Sequence, residues 1–181
     1  MTFAAPFRTS RLTLVPATAA LVAAEIEGRE AFAAGLGAVV PASWPPGEYD
    51  AAAQQYFLAR LLAVGTVGVG WYGWYAVRDA DSAAPATVVA AGGFHGPPSP
   101  DGVVELGYSV CPEWRGRGHA VELVAALAAH AAGQPGVRRV IARTTAANPA
   151  SVRVLERSCF RAVDGEAEPG SLCFEYRPEV T

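Results

Sequence analysis

At 181 residues, 51% hydrophobic and 17% charged, the chain has the size of one domain (1–181) and enough apolar side chains to build a core, which excludes a disordered protein. No run approaches the ~18 apolar residues of a membrane span and Met1–Arg11 lacks the order of a signal peptide, so a cytoplasmic protein without a membrane partner is expected. The net charge of −3 has the wrong sign for a nucleic-acid partner held through phosphates, and all 14 basic side chains are Arg, which removes every Lys-dependent chemistry.

The elements follow from periodicity and punctuation. Residues 11–15 alternate and predict a strand. Residues 17–29 predict an Ala-rich helix and 30–39 a second short one. Three prolines make 41–47 a loop, and Tyr56, Leu58, Leu61 and Leu62 recur at helical spacing within a helix over 48–64. Strands are expected at the aromatic run 71–77, at 87–94 and at 103–110, separated by a polar turn at 79–85 and a Pro- and Gly-rich connection at 96–102. A helix over 117–132 closes at Gly133 and Pro135. A strand at 138–143, a helix at 148–158, a short strand at 160–164, a turn at 165–170 and a final strand at 171–177 complete the chain. An antiparallel meander followed by strand–helix–strand units indicates a mixed sheet in an α/β (α+β) domain.

The segment that carries chemistry lies where the third strand of the meander gives way to a helix. Pro112 ends the strand, and Gly116 and Gly118 allow positive φ and close approach of a ligand to the backbone. The free N–H groups and positive end of the next helix then form an anion site suited to a pyrophosphate, to which Arg115 and Arg117 add charged donors. Val121, Val124, Leu127, Ala128 and Ala131 form the stripe that anchors this helix. Three cysteines without metal-ligand spacing and three scattered His give no expectation of disulfides or of a metal. Cys111 adjoins the loop with nothing to activate it, His119 is expected to face solvent, and His95 is expected in a turn, with the wall of the acceptor cleft as the alternative.

Arg115-Gly-Arg-Gly118-His-Ala120 resembles the R/Q-x-x-G-x-G/A pyrophosphate loop of the GCN5-related N-acetyltransferase (GNAT) superfamily. Glu105-Leu-Gly-Tyr-Ser-Val110 before it, and Asn148-Pro-Ala-Ser151 running to Phe160 after it, are similar to the RimJ/RimL-like branch that acetylates N-termini of ribosomal proteins. Two positions depart from the family: Cys159 stands where it usually has Gly, and Leu155 where many members carry a Tyr acid. The resemblance implies a single GNAT-type domain with a mixed, mostly antiparallel, twisted sheet of about six to seven strands, acceptor-side helices at about 17–64 and an acetyl-CoA-binding core at about 86–177. It implies acetyl-CoA as co-substrate, no metal, a peptide or small-molecule amine as acceptor, and a homodimer as the family-level expectation. Ser109 and Val110 would offer backbone groups to the pantetheine arm, Arg115, Gly116, Arg117, Gly118, His119 and Ala120 would hold the pyrophosphate, and Asn148 and Ser151 would contact pantetheine and sulfur. Glu105, mid-strand among apolar neighbours, is the expected general base, its pKa raised by burial; an exposed strand carboxylate or the partner of an Arg is the alternative. Ser151 is the expected proton donor to the thiolate, and Trp44 and Trp74 are expected to touch the acceptor. A non-catalytic acyl-CoA sensor and a transferase for longer acyl groups are the alternatives.

Overall fold

The computed structural model describes residues 5–164 and 170–178. Eight strands form one sheet in the order β1-β2-β3-β4-β5-β6-β8-β7. They are β1 (Phe7–Arg8), β2 (Leu12–Pro16), β3 (Trp74–Arg78), β4 (Thr87–Phe94), β5 (Val103–Val110), β6 (Arg139–Thr145), β7 (Phe160–Val163) and β8 (Ser171–Tyr176). The helices are α1 (Ala19–Glu27), α2 (Arg29–Leu36), α3 (Ala51–Val64), α4 (His119–Ala132) and α5 (Pro149–Arg157). β1, two residues paired with β2, is too short for any periodicity and raises the strand number above expectation. Trp71–Gly73 precede β3 rather than opening it, and α4 starts at His119 because Gly118 takes the left-handed conformation. Most of the turn expected at 165–170 lies outside the described residues.

Both faces of the sheet are covered, so the central strands are buried throughout; every residue of β3 and β4 is buried. One face packs Leu12, Leu14, Trp74, Val89, Leu106 and Val110 under α4 and α5. The other packs Tyr75, Val77, Val88 and Ala91 against α1 to α3 with Phe32 and Leu61. The stripe of α4 is Leu123, Val124, Leu127, Ala128 and Ala131, all fully buried, with Leu123 in the place expected for Val121. Caps set the helix starts: Thr18 accepts from Leu21 N–H, Asp50 from Ala53 N–H, and Asn148 from Ser151 N–H. Cys159 carries a φ of 64°, the left-handed conformation that the family's Gly would adopt without penalty; a side chain there costs about 1–2 kcal/mol.

A single parallel pair, β5 with β6, interrupts the antiparallel order, and its pairing runs only from Val103/Arg139 to Glu105/Ile141. Beyond it the two strands part, β5 staying with β4 as far as Val110 and β6 with β8 as far as Thr145. The sheet therefore opens in its middle, towards the loop that leads into α4.

Candidate functional site

Which backbone groups face the opening follows from the β4–β5 register. His95 N–H donates to Glu105 O at 3.1 Å and Cys111 N–H to Val89 O at 3.0 Å. Odd-numbered residues of β5 thus direct their main chain to β4, and even-numbered ones to the opening. Tyr108 and Val110 present amides to the gap. The backbone of Ser109 does not: it is spent on Ala91 of β4, so Ser109 can contribute only a side chain. On the far side of the gap, Arg143 and Thr145 share the parity of Ile141 and line β6.

The loop at the mouth of the opening has the anion geometry its glycines require. Gly116 has φ +74° and Gly118 φ +83°, and a Cβ built on Gly116 meets nothing within 4 Å. Gly118 gives α4 no side-chain cap, so the first amides of the helix keep their hydrogen-bonding capacity for a ligand. The hairpin of β1 and β2 braces this turn. Arg11 Nη1 donates to Arg117 O at 2.9 Å, and Glu122 accepts from Arg11 N (2.7 Å), Arg11 Nε (2.7 Å), Thr9 Oγ1 (2.6 Å) and Ser10 Oγ (3.1 Å). Burial works against the Glu122 charge, but these donors outweigh it and its pKa is lowered. Arg115 turns inward, Nε donating to Val110 O at 3.1 Å, and Arg117 lies over the Trp114 ring at 4.9 Å.

His119 is not the solvent-facing residue expected. It is 5% exposed beneath Trp114, and its Nδ1 has no hydrogen-bond partner. Burial, then the charge of Arg11, lowers its pKa and favours the neutral ring. Its spacing in the sequence gave no sign of this, because the burial comes from Trp114 folding over the helix start. Ala120 packs on the core beside it.

Across the opening, Tyr108 OH lies 3.0 Å from Ser151 Oγ and joins β5 to the first turn of α5. Burial raises the Tyr108 pKa, so the phenol keeps its proton. Asn148 uses Oδ1 to cap α5 at 3.1 Å from Ser151 N–H, which leaves its amide NH₂ as the donor group. Cys111 is buried and its thiol is pushed up to about 11 by burial, so it is no nucleophile near neutral pH.

On the α3 side of the sheet is a cleft of about 200 Å³ lined by Glu48, Tyr49, Phe57, His95, Gly107 and Ser109. Its floor is built from cross-strand pairs of small residues, Ala91 with Ser109 and Gly93 with Gly107. A Cβ on Gly93 would fall 2.6 Å from Tyr72 O. Next along this face stand His95 and Glu105. Glu105 is not the carboxylate among apolar neighbours that was expected. It is ion-paired with Arg143 Nη1, has a side chain 22% exposed, and faces His95 Nδ1 at 3.8 Å. Arg143 lies 38 positions away in sequence and comes alongside only through the parallel pairing of β5 with β6.

Neither tryptophan expected at the acceptor lines this cleft. Trp74 is 1% exposed, faces α4, and donates Nε1 to Gly70 O at 2.7 Å. Trp44 packs against Phe32, Tyr49 and Tyr75 and donates Nε1 to Glu25 at 2.6 Å, in a separate cavity of about 280 Å³ between α1 and α3. Sequence reasoning gave His95 as a turn residue with the acceptor cleft as its alternative place, and missed Tyr108, Arg143 and Glu25. The paired small residues at Gly92–Gly93 and Gly107 were the one signal for a cleft beside them. Among the described residues no group of three metal-ligating side chains occurs and no helix is long and apolar enough to cross a membrane.

The chain is similar in fold to several solved structures. A protein from Bordetella pertussis described as a GnaT-family acetyltransferase superposes with TM-score 0.64 at 20% identity, over 96% of this chain and 99% of that one. The acetyltransferase from Agrobacterium tumefaciens gives 0.60 at 23% identity, over 96% and 95%. The ribosomal L7/L12 α-N-protein acetyltransferase RimL, in complex with coenzyme A, gives 0.61 at 16% identity, over 94% and 97%. No curated protein matches the sequence. The sequence profile of the Acetyltransferase (GNAT) domain matches residues 11–161, and the chain accordingly belongs to the GNAT family of acetyltransferases and is an acyltransferase.

Proposed function

We propose that the protein transfers the acetyl group of acetyl-CoA to a primary amine, on a protein N-terminus or a small molecule, by direct attack. The observation that carries this reading is the sheet opening beyond Glu105/Ile141, set against the glycine turn at Gly116 and Gly118. A thioester tail fits the gap as an added strand, taking main-chain hydrogen bonds from β5 and β6, while the diphosphate takes the α4 amides. In this reading residues 86–177 hold the co-substrate and 17–64 shape the acceptor side. Val110 N–H stabilises the developing oxyanion. Ser151, backed by Tyr108, returns a proton to the departing sulfur, and the Asn148 NH₂ binds the pantetheine arm.

The acceptor enters through the cleft beside β5, where Glu48 favours a cationic amine. Glu105 assists removal of the amine proton, but not by contact. Arg143 holds one of its oxygens, and the other faces His95 Nδ1. Glu105 acts through a group placed between it and the amine. The test is thiol release from acetyl-CoA with a seryl-initiated tetrapeptide, an alanyl-initiated tetrapeptide, spermidine and phenethylamine. At least one is expected to be turned over, and Glu105→Gln to slow it by about 10²-fold or more while leaving coenzyme A binding intact. Coenzyme A binding without release to any of the amines would favour a sensor.

A further inference from the structure

We propose that His95 is a catalytic residue, the group that takes the first proton from the acceptor ammonium, and that Glu105 and Arg143 are positioning residues behind it. This rests on the transfer reading above and supplies the intervening group it requires. The assignment stands on placement. His95 follows β4 directly and shares a sheet face with Gly93, Gly107 and Ser109, the floor of the acceptor cleft. Its two ring nitrogens face different partners. Nδ1 points to Glu105 Oε1 at 3.8 Å, and Nε2 lies 3.7 Å from the position a Cβ would occupy on Gly107. Because residue 107 has no side chain, Nε2 is open to a ligand lying on the cleft floor. The carboxylate, clamped by Arg143 from β6, selects the tautomer with the proton on Nδ1 and leaves the Nε2 lone pair towards the cleft. Its separation from Nδ1 exceeds hydrogen-bond length, as is common for catalytic pairs before substrate closes the site. The side chain is 65% exposed, which gives the proton a way out to water.

The protons balance. The acceptor ammonium gives one proton to His95 Nε2 while it lies over Gly107 on the cleft floor, and the neutral amine then moves about 10 Å along β5 to the carbonyl at Val110, where its lone pair forms the C–N bond. As the C–S bond breaks, a second amine proton is released and one ends on the sulfur through Ser151. His95 then loses its proton to solvent. The net products are an amide, a free thiol and one proton.

The decisive comparison uses two nucleophiles in an assay at about pH 7: the best amine of the panel, which is mostly protonated there, and hydroxylamine, a weaker base that is largely neutral there and needs no deprotonation. For His95→Ala the expected result is a loss of kcat of about 10²-fold or more with the amine, a loss under tenfold with hydroxylamine, and an unchanged KM for acetyl-CoA. Added imidazole should restore part of the lost rate. Adding Glu105→Gln to His95→Ala should cost no more than His95→Ala alone, since both act through one ring. His95→Gln, which keeps the size and polarity of the side chain, guards against a folding defect, and its thermal midpoint should match that of the wild type. Equal losses with both nucleophiles, or no loss with either, would overturn the assignment of His95 and leave the transfer reading standing. Failure of the wild type with every amine would instead remove the transfer reading and this inference with it.

Discussion

Replacing Gly118 with Val is expected to weaken coenzyme A binding by at least about tenfold while the protein stays folded. Gly118 has φ +83°, and a Cβ there would stand 3.1 Å from Arg11 Nη2, the guanidinium that anchors the turn through Arg117 O. A left-handed conformation costs a side-chain-bearing residue about 1–2 kcal/mol, and a β-branched one more. The turn escapes this by rotating Gly118 back to negative φ, which re-aims the first amides of α4. The remaining contacts of α4, Leu123 to Ala131 against the sheet, are untouched, so the loss falls on the ligand rather than the fold. With tenfold in affinity per 1.4 kcal/mol, calorimetry on the variant should read a Kd raised tenfold or more. Gly133→Ala is the control: it lies at the far end of α4 at φ −79°, and its Cβ would make only ordinary contact, 3.6 Å from His130 O. An unchanged Kd for Gly118→Val would show that the pyrophosphate does not rest on this turn.

The largest effect on stability is expected at Glu25, far from the transfer chemistry. Glu25 is 7% exposed and accepts from Trp44 Nε1 at 2.6 Å, Tyr49 OH at 2.8 Å and Tyr75 OH at 2.7 Å. These three donors tie the loop over 41–50 and strand β3 to α1. Glu25→Ala strands all three, two of them on buried tyrosines, at about 1–3 kcal/mol each. Relief from burying a charge offsets part of that. The net expectation is a loss of about 3 kcal/mol, or roughly 10 °C in the thermal midpoint for a chain of this length.

Glu25→Gln should cost less, because an amide oxygen still accepts and the tyrosine hydroxyls can turn to accept from its NH₂. The pH dependence separates the two forms. Burial raises the Glu25 pKa above its ordinary value near 4.5, against the lowering effect of its donors. The folded state therefore holds this proton more tightly than the unfolded one, and stability from this group falls as pH rises from about 4.5 through the elevated folded-state value. The thermal midpoint of Glu25→Gln should gain on wild type over that window. A constant difference between them across pH would show that Glu25 does not titrate in this range.

The parts of the fold legible in the sequence were those written in short-range pattern. The strand ending at Pro112, the glycine turn and the helix to Gly133 all stand within a residue or two of expectation, because proline, glycine and helical spacing act locally. Asn148 and Ser151 open α5 as their residue types suggest. The misassignments share a cause. A sheet covered on both faces gives apolar residues in both phases of the alternation, so nothing in the run at 71–77 says that Trp74 faces α4 and Tyr75 faces α1. Trp44 among prolines reads as a lid until Glu25, nineteen positions earlier, takes its indole N–H. Glu25 itself, in an Ala-rich helix, carries no mark of burial; three donors from other segments confer it. The Glu105–Arg143 pair likewise depends on β5 and β6 lying side by side.

Amide hydrogen exchange, resolved by residue and followed with and without coenzyme A, reads the site directly. Bound coenzyme A is predicted to slow exchange at Tyr108 and Val110 on one lip of the opening, at Arg143 or Thr145 on the other, and at Gly116 to Ala120 in the turn. No change at these amides under saturating coenzyme A, or protection confined to the cavity around Glu25, would contradict it.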